Sequence, residues 1–219
     1  MSILKLDDVN FTYDGSKYVL KKIDMEFKLG KVYGVFGKSG AGKSTLLSLM
    51  AGLETTTSGI IKFKDKDLSK INRDYYRSNE IGVIFQSYNL LPHLTALENV
   101  VLSMDISNVK VKDKKDKAYK LLKKVGLDET KADRKILHLS GGEQQRVSIA
   151  RAISYDSEII LADEPTGNLD KETENDILEL LADLAHKENK CVIIISHSNR
   201  VKEEADEVYH LANGKLSID

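Results

Sequence analysis

The sequence predicts an α/β protein: a mostly parallel sheet, antiparallel strands on its N-terminal side, and a helical insert that splits the sheet-forming segments. Three observations carry this. Short, largely apolar segments at residues 32–36, 81–85, 158–162 (apolar from Ile159) and 191–195 read as strands buried on both faces, as parallel strands are. Segments with helical periodicity alternate with them, the pattern of a parallel sheet with crossover helices. The stretch from about 89 to 155 contains no convincing strand.

The elements follow in order. Ile3, Leu4, Leu6, Val9, Phe11 and Tyr13 alternate with polar residues, which predicts a strand; Asp14-Gly15-Ser16 is a turn. Residues 18–27 form a second strand, closed by Leu29-Gly30-Lys31. Residues 32–36 form a short apolar strand that meets a glycine-rich loop, and residues 43–50 are helical. This strand–loop–helix unit opens a mononucleotide-binding α/β fold. A polar hairpin is expected over 58–67 and a buried strand over 81–85. In the insert, Ala118, Leu121, Leu122 and Val125 line one helix face. A helical stripe of Ile177, Leu180, Leu181 and Leu184 then separates the strands at 158–162 and 191–195. A short helix and a strand pair, 207–211 and 215–218, follow. The lysine-rich run from 110 to 124 has two readings, a solvated helix face or a contact with an anionic membrane surface.

Composition narrows the classes. The 219 residues are 41% hydrophobic and 31% charged, enough for a sizeable core and unlike a disordered chain. With 33 basic and 34 acidic residues the net charge is −1, which argues against a nucleic-acid binder held by bulk electrostatics. Cys191 is the only cysteine, so neither an internal disulfide nor a multi-cysteine metal site is expected. No apolar run approaches the roughly 20 residues of a spanning helix, and the early Asp7-Asp8 argues against a signal peptide. Any action at a membrane is therefore expected to run through a partner.

The chemistry concentrates in four places. Gly37-Lys38-Ser39-Gly40-Ala41-Gly42-Lys43-Ser44 matches G-x-x-x-x-G-K-[ST] in full. Its glycines let backbone N–H groups turn around phosphate oxygens where side chains would clash, and the following helix adds its positive end. Lys43 reaches the β- and γ-phosphates and the Ser44 hydroxyl suits Mg2+. Asp163 and Glu164 end an apolar strand at the sheet's carboxyl edge, where open α/β sheets bind ligands. Asp163 suits the metal and Glu164 a general base for water. The plainer reading is an acidic helix start before Pro165 and Thr166; the phosphate loop upstream favours the catalytic one. Ser140-Gly141-Gly142 at a helix start forms a second anion cradle. His197 ends the strand that follows the acidic one; a structural histidine is the usual reading there, and a γ-phosphate contact is favoured by its position.

Taken in chain order, these motifs resemble those of the ATP-binding cassette (ABC) ATPases, across essentially the whole chain. The resemblance implies a P-loop NTPase (RecA-like) core with an N-terminal antiparallel β subdomain and a helical insert subdomain. Residues 1–219 then form one cassette: 1–88 and 156–219 the α/β core with its β subdomain, 89–155 the helical signature subdomain. Residues 37–44 resemble the Walker A loop, with Thr45 beside it, and Tyr13 the aromatic that stacks on adenine. Gln86 resembles the Q-loop glutamine, residues 140–144 the signature, Asp163 and Glu164 Walker B and its catalytic glutamate, Asn168-Leu169-Asp170 the D-loop, and His197 the switch histidine. The resemblance implies ATP and Mg2+ as ligands, the metal taken by Ser44, Gln86 and Asp163. It also implies a head-to-tail homodimer in which Ser140 and Gly142 of one copy cover ATP on the other, with Gly141 and Asp170 near the nucleotide.

The stretch 88–100 and Pro165-Thr166-Gly167-Asn168-Leu169-Asp170 look like the branch of macrolide-export, lipoprotein-release and antimicrobial-peptide-resistance ATPases. That branch implies a separate membrane permease with a large extracytoplasmic domain, sometimes with an adaptor, and a cytoplasmic place on the membrane's inner face. It also implies that the apolar loop residues Tyr88, Leu90, Leu91, Leu94 and Leu97 border a groove for a short permease helix; packing into the insert is the plainer reading of these side chains.

Other classes fit less well. Chromosome-maintenance relatives insert a long coiled coil for which no sustained heptads exist here. Ribosome-associated relatives carry two cassettes, and a GTPase would need Asn-Lys-x-Asp. A soluble cassette of iron–sulfur assembly and an importer ATPase stay open as alternatives. The chain stops at Asp219, soon after the last expected strands, so an importer-type C-terminal regulatory domain is not expected.

Overall fold

The N-terminal alternation becomes β1 (Leu4–Thr12) and β2 (Tyr18–Phe27), an antiparallel pair running from Leu4 opposite Phe27 to Thr12 opposite Tyr18 in the computed structural model, which describes residues 1–218. Leu4, Leu6, Val9 and Phe11 are buried; the odd step between Leu6 and Val9 is made by a register shift at which Asp8 takes φ 49°. β3 (Lys31–Phe36) starts a second sheet and runs through the glycine-rich loop into α1 (Lys43–Met50). The predicted hairpin returns to the first sheet as β4 (Ser58–Phe63) and β5 (Lys66–Asp67), giving the order β2-β1-β4-β5. One turn, α2 (Arg73–Tyr75), passes through a π-helical turn at Tyr76–Glu80 into β6 (Ile81–Phe85).

The insert holds α3 (Ala96–Ile106), α4 (Lys114–Lys124), α5 (Glu129–Ala132) and α6 (Gly141–Ile153). The α/β pattern then resumes with β7 (Ile159–Asp163), α7 (Lys171–His186), β8 (Cys191–Ser196), α8 (Asn199–Glu204), β9 (Glu207–Ala212) and β10 (Lys215–Ile218). The second sheet has the order β10-β9-β3-β8-β7-β6 and is parallel throughout except for β10.

Its strands alternate between two cores. Val32, Ile160, Ala162, Val192 and Ile194 pack with the helices of the insert and α7. Tyr33, Val35, Ile159, Leu161, Ile193 and Ile195 pack with the first sheet and α1. A strand buried on both faces has no position for a polar side chain, which is why these segments read as unbroken apolar runs. Cys191 belongs to this interior, and burial pushes its thiol far above the usual range. It is a packing residue.

The lysine-rich run contributes α4, which buries Ala118 and Leu122 and turns most of its lysines outward. Lys114, Lys120 and Lys124 pair with Asp105, Asp116 and Glu188, as on a solvated helix face.

Strand register sets up the site. Phe85 lies opposite Asp163, Asp163 opposite Ile195, and Ile195 opposite Val35. The segments that follow these strands begin with Gln86, Glu164, His197 and Gly37. They leave the sheet at one edge, side by side.

Candidate functional site

Between those strand ends and α1 lies a cavity of about 300 Å³, lined by the loop residues Ser39, Gly40 and Gly42, by Lys43, Ser44, Thr45 and Val19, and by Gln86, Asp163 and Glu164. Gly42 caps α1 at φ 107°, a conformation closed to side-chain residues, and an added Cβ would sit 3.0 Å from Leu20. A Cβ on Gly37 would come within 2.4 Å of the Leu211 carbonyl. The loop is thus held by close backbone approach at its start and by a left-handed turn at its end. Lys43 folds back over it, its Nζ donating to the carbonyl of Gly37 at 2.7 Å. The ammonium is therefore already inside the curve of the loop, where an anion would meet it.

Tyr13 is 66% exposed, yet fixed. Its hydroxyl lies 3.0 Å from Thr45 Oγ1 and its ring meets Phe11 edge-on at 4.7 Å. A free aromatic face held beside the phosphate loop suits a base platform. Gln86 leans on the loop after Glu164: a Cβ on Gly167 would lie 3.0 Å from Gln86 Nε2. A side chain there would push the Gln86 amide aside by a few tenths of an ångström.

The two carboxylates differ. Burial pushes the Asp163 carboxyl above its ordinary value, the neighbouring Glu164 adds to this, and Lys43 opposes it. Glu164 has φ 47°, and its N–H donates to the carbonyl of Ile195 at 2.9 Å. A left-handed glutamate costs about 1–3 kcal/mol, and such residues cluster where a side chain must be aimed. Here the turn brings Glu164 Oε1 to 3.0 Å from Nδ1 of the exposed His197. The structure thus pairs the two residues that the sequence reading placed in catalysis.

The signature residues lie elsewhere. Ser140, Gly141, Gly142 and Asp170 are not among the residues lining this cavity. Ser140 caps α6 in a capping box with Glu143, whose carboxyl is held low chiefly by the Ser140 N–H. A Cβ on Gly142 would come within 2.5 Å of Thr173 Cγ2, and one on Gly141 within 3.0 Å of the Tyr88 hydroxyl. Asp170 caps α7, accepting from the Glu172 and Thr173 N–H groups and the Thr173 hydroxyl; these bonds, Thr173 first, lower its pKa. Within one chain, then, Asp170 is a helix cap.

Several participants carry no motif. Arg151 on α6 donates to the carbonyls of Tyr88 and Asn89, both in left-handed conformation, and Ser148 also donates to Tyr88. The buried Gln145 donates to the carbonyl of Pro165 at 2.7 Å. The signature helix is thus bonded to both the Gln86 loop and the Glu164 loop. These are side-chain-to-carbonyl bonds, for which a sequence offers no spacing rule.

A phosphate cradle, a lysine within it, two carboxylates at an adjacent strand end and a histidine on one of them define a P-loop nucleotide hydrolase. The model of the ABC transporter family matches residues 20–167, more than half of the chain, and the chain belongs to that family. It is 43% identical to the uncharacterized ABC transporter ATP-binding protein YclH of Bacillus subtilis, over 100% of this chain and 97% of YclH. It is 42% identical to the lipoprotein-releasing system ATP-binding protein LolD of Legionella pneumophila, over 93% of this chain and 92% of LolD. Its fold matches the dimeric post-hydrolysis state of the ATP-binding cassette MJ0796 bound to ADP and Pi, with a TM-score of 0.88 and 34% identity over 98% of each chain. The protein is an ABC ATPase, the ATP-hydrolysing cassette of a transporter. No helix among the described residues is long and apolar enough to cross a membrane.

Proposed function

We propose that two copies of this chain hydrolyse Mg-ATP at composite sites and thereby drive a separate membrane permease of the lipoprotein-release and macrolide-export kind. The observation that carries the catalytic part is that Glu164, on the wall of the phosphate-loop cavity, is held 3.0 Å from the His197 ring behind it. The exporter branch is supported by the likeness to LolD over nearly its whole length.

Each residue has a role in this reading. The amides of residues 37–44, Lys43 and the start of α1 hold the phosphates and take up charge on the leaving β–γ oxygen. Tyr13 supports the base. Ser44, Asp163 and Gln86 form an oxygen-donor set of the kind Mg2+ prefers, and the ion would neutralise phosphate charge there. Glu164 accepts the proton of the attacking water. His197 orients Glu164 and faces the γ-phosphate. Ser140 to Gly142 are supplied to the partner's nucleotide, which accounts for their absence from the cavity of their own chain, with Asp170 placed at the same interface. Residues 89–155 act as the signature subdomain, moving against a core of 1–88 and 156–219. The cassette sits on the inner face of the membrane through the permease, whose extracytoplasmic domain, with or without an adaptor, does the mechanical work.

Co-expression with a permease of this kind from the same organism tests the partner. The expected result is that the cassette sediments with membranes only when the permease is present, and that its ATPase rate then rises. Co-purification with a soluble assembly scaffold instead would overturn the proposal.

A further inference from the structure

Glu174, in the first turn of α7, belongs to none of the motifs, yet it joins two loops of the catalytic edge. Its Oε1 accepts from the Ser198 hydroxyl at 2.7 Å and from the Thr166 hydroxyl at 3.2 Å. Thr166 is 5% exposed and lies two residues after Glu164; Ser198 directly follows His197. The helix does not need Glu174 as a cap, because Asp170 already serves the first N–H groups of α7. An acidic residue in a first turn gains from the helix dipole, but that gain requires no partners from two separate segments. Beside it, Asn175 Oδ1 accepts from Arg200 Nε and Nη2, at 3.0 and 2.8 Å, so the same turn also grips α8 beyond the histidine.

We infer that Glu174 is a positioning residue of the hydrolytic site: one carboxylate oxygen ties the loop after Glu164 to the loop that carries His197 and so keeps the Glu164–His197 contact in register. The inference rests on the catalytic reading of those two residues. His197 is exposed and lies just past the end of β8, where a bond from the Ser198 N–H to Ser196 Oγ, 3.0 Å, spans it from the strand side. A shift of about 1 Å in a reacting group is enough to cost on the order of a hundredfold in rate. Both partners of Glu174 are hydroxyl donors, so an amide oxygen at the same place serves as well as a carboxylate.

The test compares Glu174→Ala, Glu174→Gln, Thr166→Val, the double variant Glu174→Ala/Thr166→Val and His197→Ala in steady-state ATP hydrolysis, with melting temperature and ADP affinity measured on each. Glu174→Ala is expected to lower kcat about tenfold or more, with KM for ATP, ADP affinity and melting temperature nearly unchanged. Glu174→Gln is expected to restore kcat to near wild type, and the double variant to be no slower than Glu174→Ala alone. Wild-type kcat in Glu174→Ala while His197→Ala is inactive would overturn the positioning role and leave the catalytic reading standing. A fall in kcat matched by a fall in melting temperature, in Ala and Gln alike, would make Glu174 a fold residue and equally overturn it. Full activity in His197→Ala would remove the catalytic reading and this inference with it.

Discussion

Glu164 and Asp163 stand next to each other and face opposite demands. Under the proposed mechanism Glu164 accepts a proton; its left-handed backbone and the contact with His197 hold it at the cavity wall. Glu164→Gln keeps the shape and loses the basic oxygen. Phosphate release should fall by roughly 10²–10⁴-fold, the usual contribution of a general base, with ATP affinity retained in a fluorescent-nucleotide titration. Asp163 carries a raised pKa through burial. A carboxyl that holds its proton more tightly when folded contributes its stability in full below the ordinary carboxylate pKa and loses it as pH rises through the raised value. At neutral pH the ionised Asp163 is therefore a net cost to the ligand-free fold. Asp163→Asn should raise the ligand-free melting temperature at pH 7 by about 2–4 °C, the gain shrinking toward pH 4, in scanning calorimetry. Equal melting temperatures at pH 7 would count against the desolvation argument. Lys43 and Ser44 were legible through the phosphate-loop spacing, and Asp163 and Glu164 because they close an apolar run whose end marks the sheet edge. Asp170 was legible only as part of a motif. Its capping bonds become visible once α7 is seen to start at the next residue.

Among the elements, the parallel strands were the most legible, since burial on both faces leaves one chemical possibility per position. The bonds between elements were not. Arg151 reaches carbonyls more than 60 positions back, Glu174 reaches Ser198 24 positions on, and neither pairing leaves a periodic trace. The phosphate-loop glycines were legible as freedom for an anion site; a glycine outside that loop makes way for a side chain of another element. Gly167 is such a case, with Gln86 Nε2 in the space its Cβ would take. Because the displaced atom is the end of a flexible side chain, Gly167→Ala should change the melting temperature by under about 2 °C. It should still slow hydrolysis, because Gln86 is pushed from its seat beside Glu164. A large stability loss, or unchanged turnover, in a paired melting and ATPase measurement would contradict that account.

At the scale of the whole molecule, one chain holds its phosphate-loop cavity in one place and residues 140–142 in another. The apolar loop after Gln86, which sequence alone left between core and interface, divides residue by residue. Leu97 is 7% exposed, Leu90 packs against the helical core, Tyr88, Leu90 and Leu94 are half-buried, and Leu91 is 39% exposed. Leu91→Glu should therefore leave the melting temperature unchanged and abolish stimulation by the permease, whereas Leu97→Glu should unfold the cassette, since it buries a charge. If Leu91→Glu remains fully coupled, the permease docks elsewhere. In the proposed mechanism hydrolysis belongs to a pair of chains. The most direct measurement is the mass of Glu164→Gln in solution, by size-exclusion chromatography with light scattering, with and without Mg-ATP. Two chains per particle with ATP and one without it is the predicted result. A particle that stays at one chain with ATP bound, beside a wild-type rate per chain independent of concentration, would contradict it.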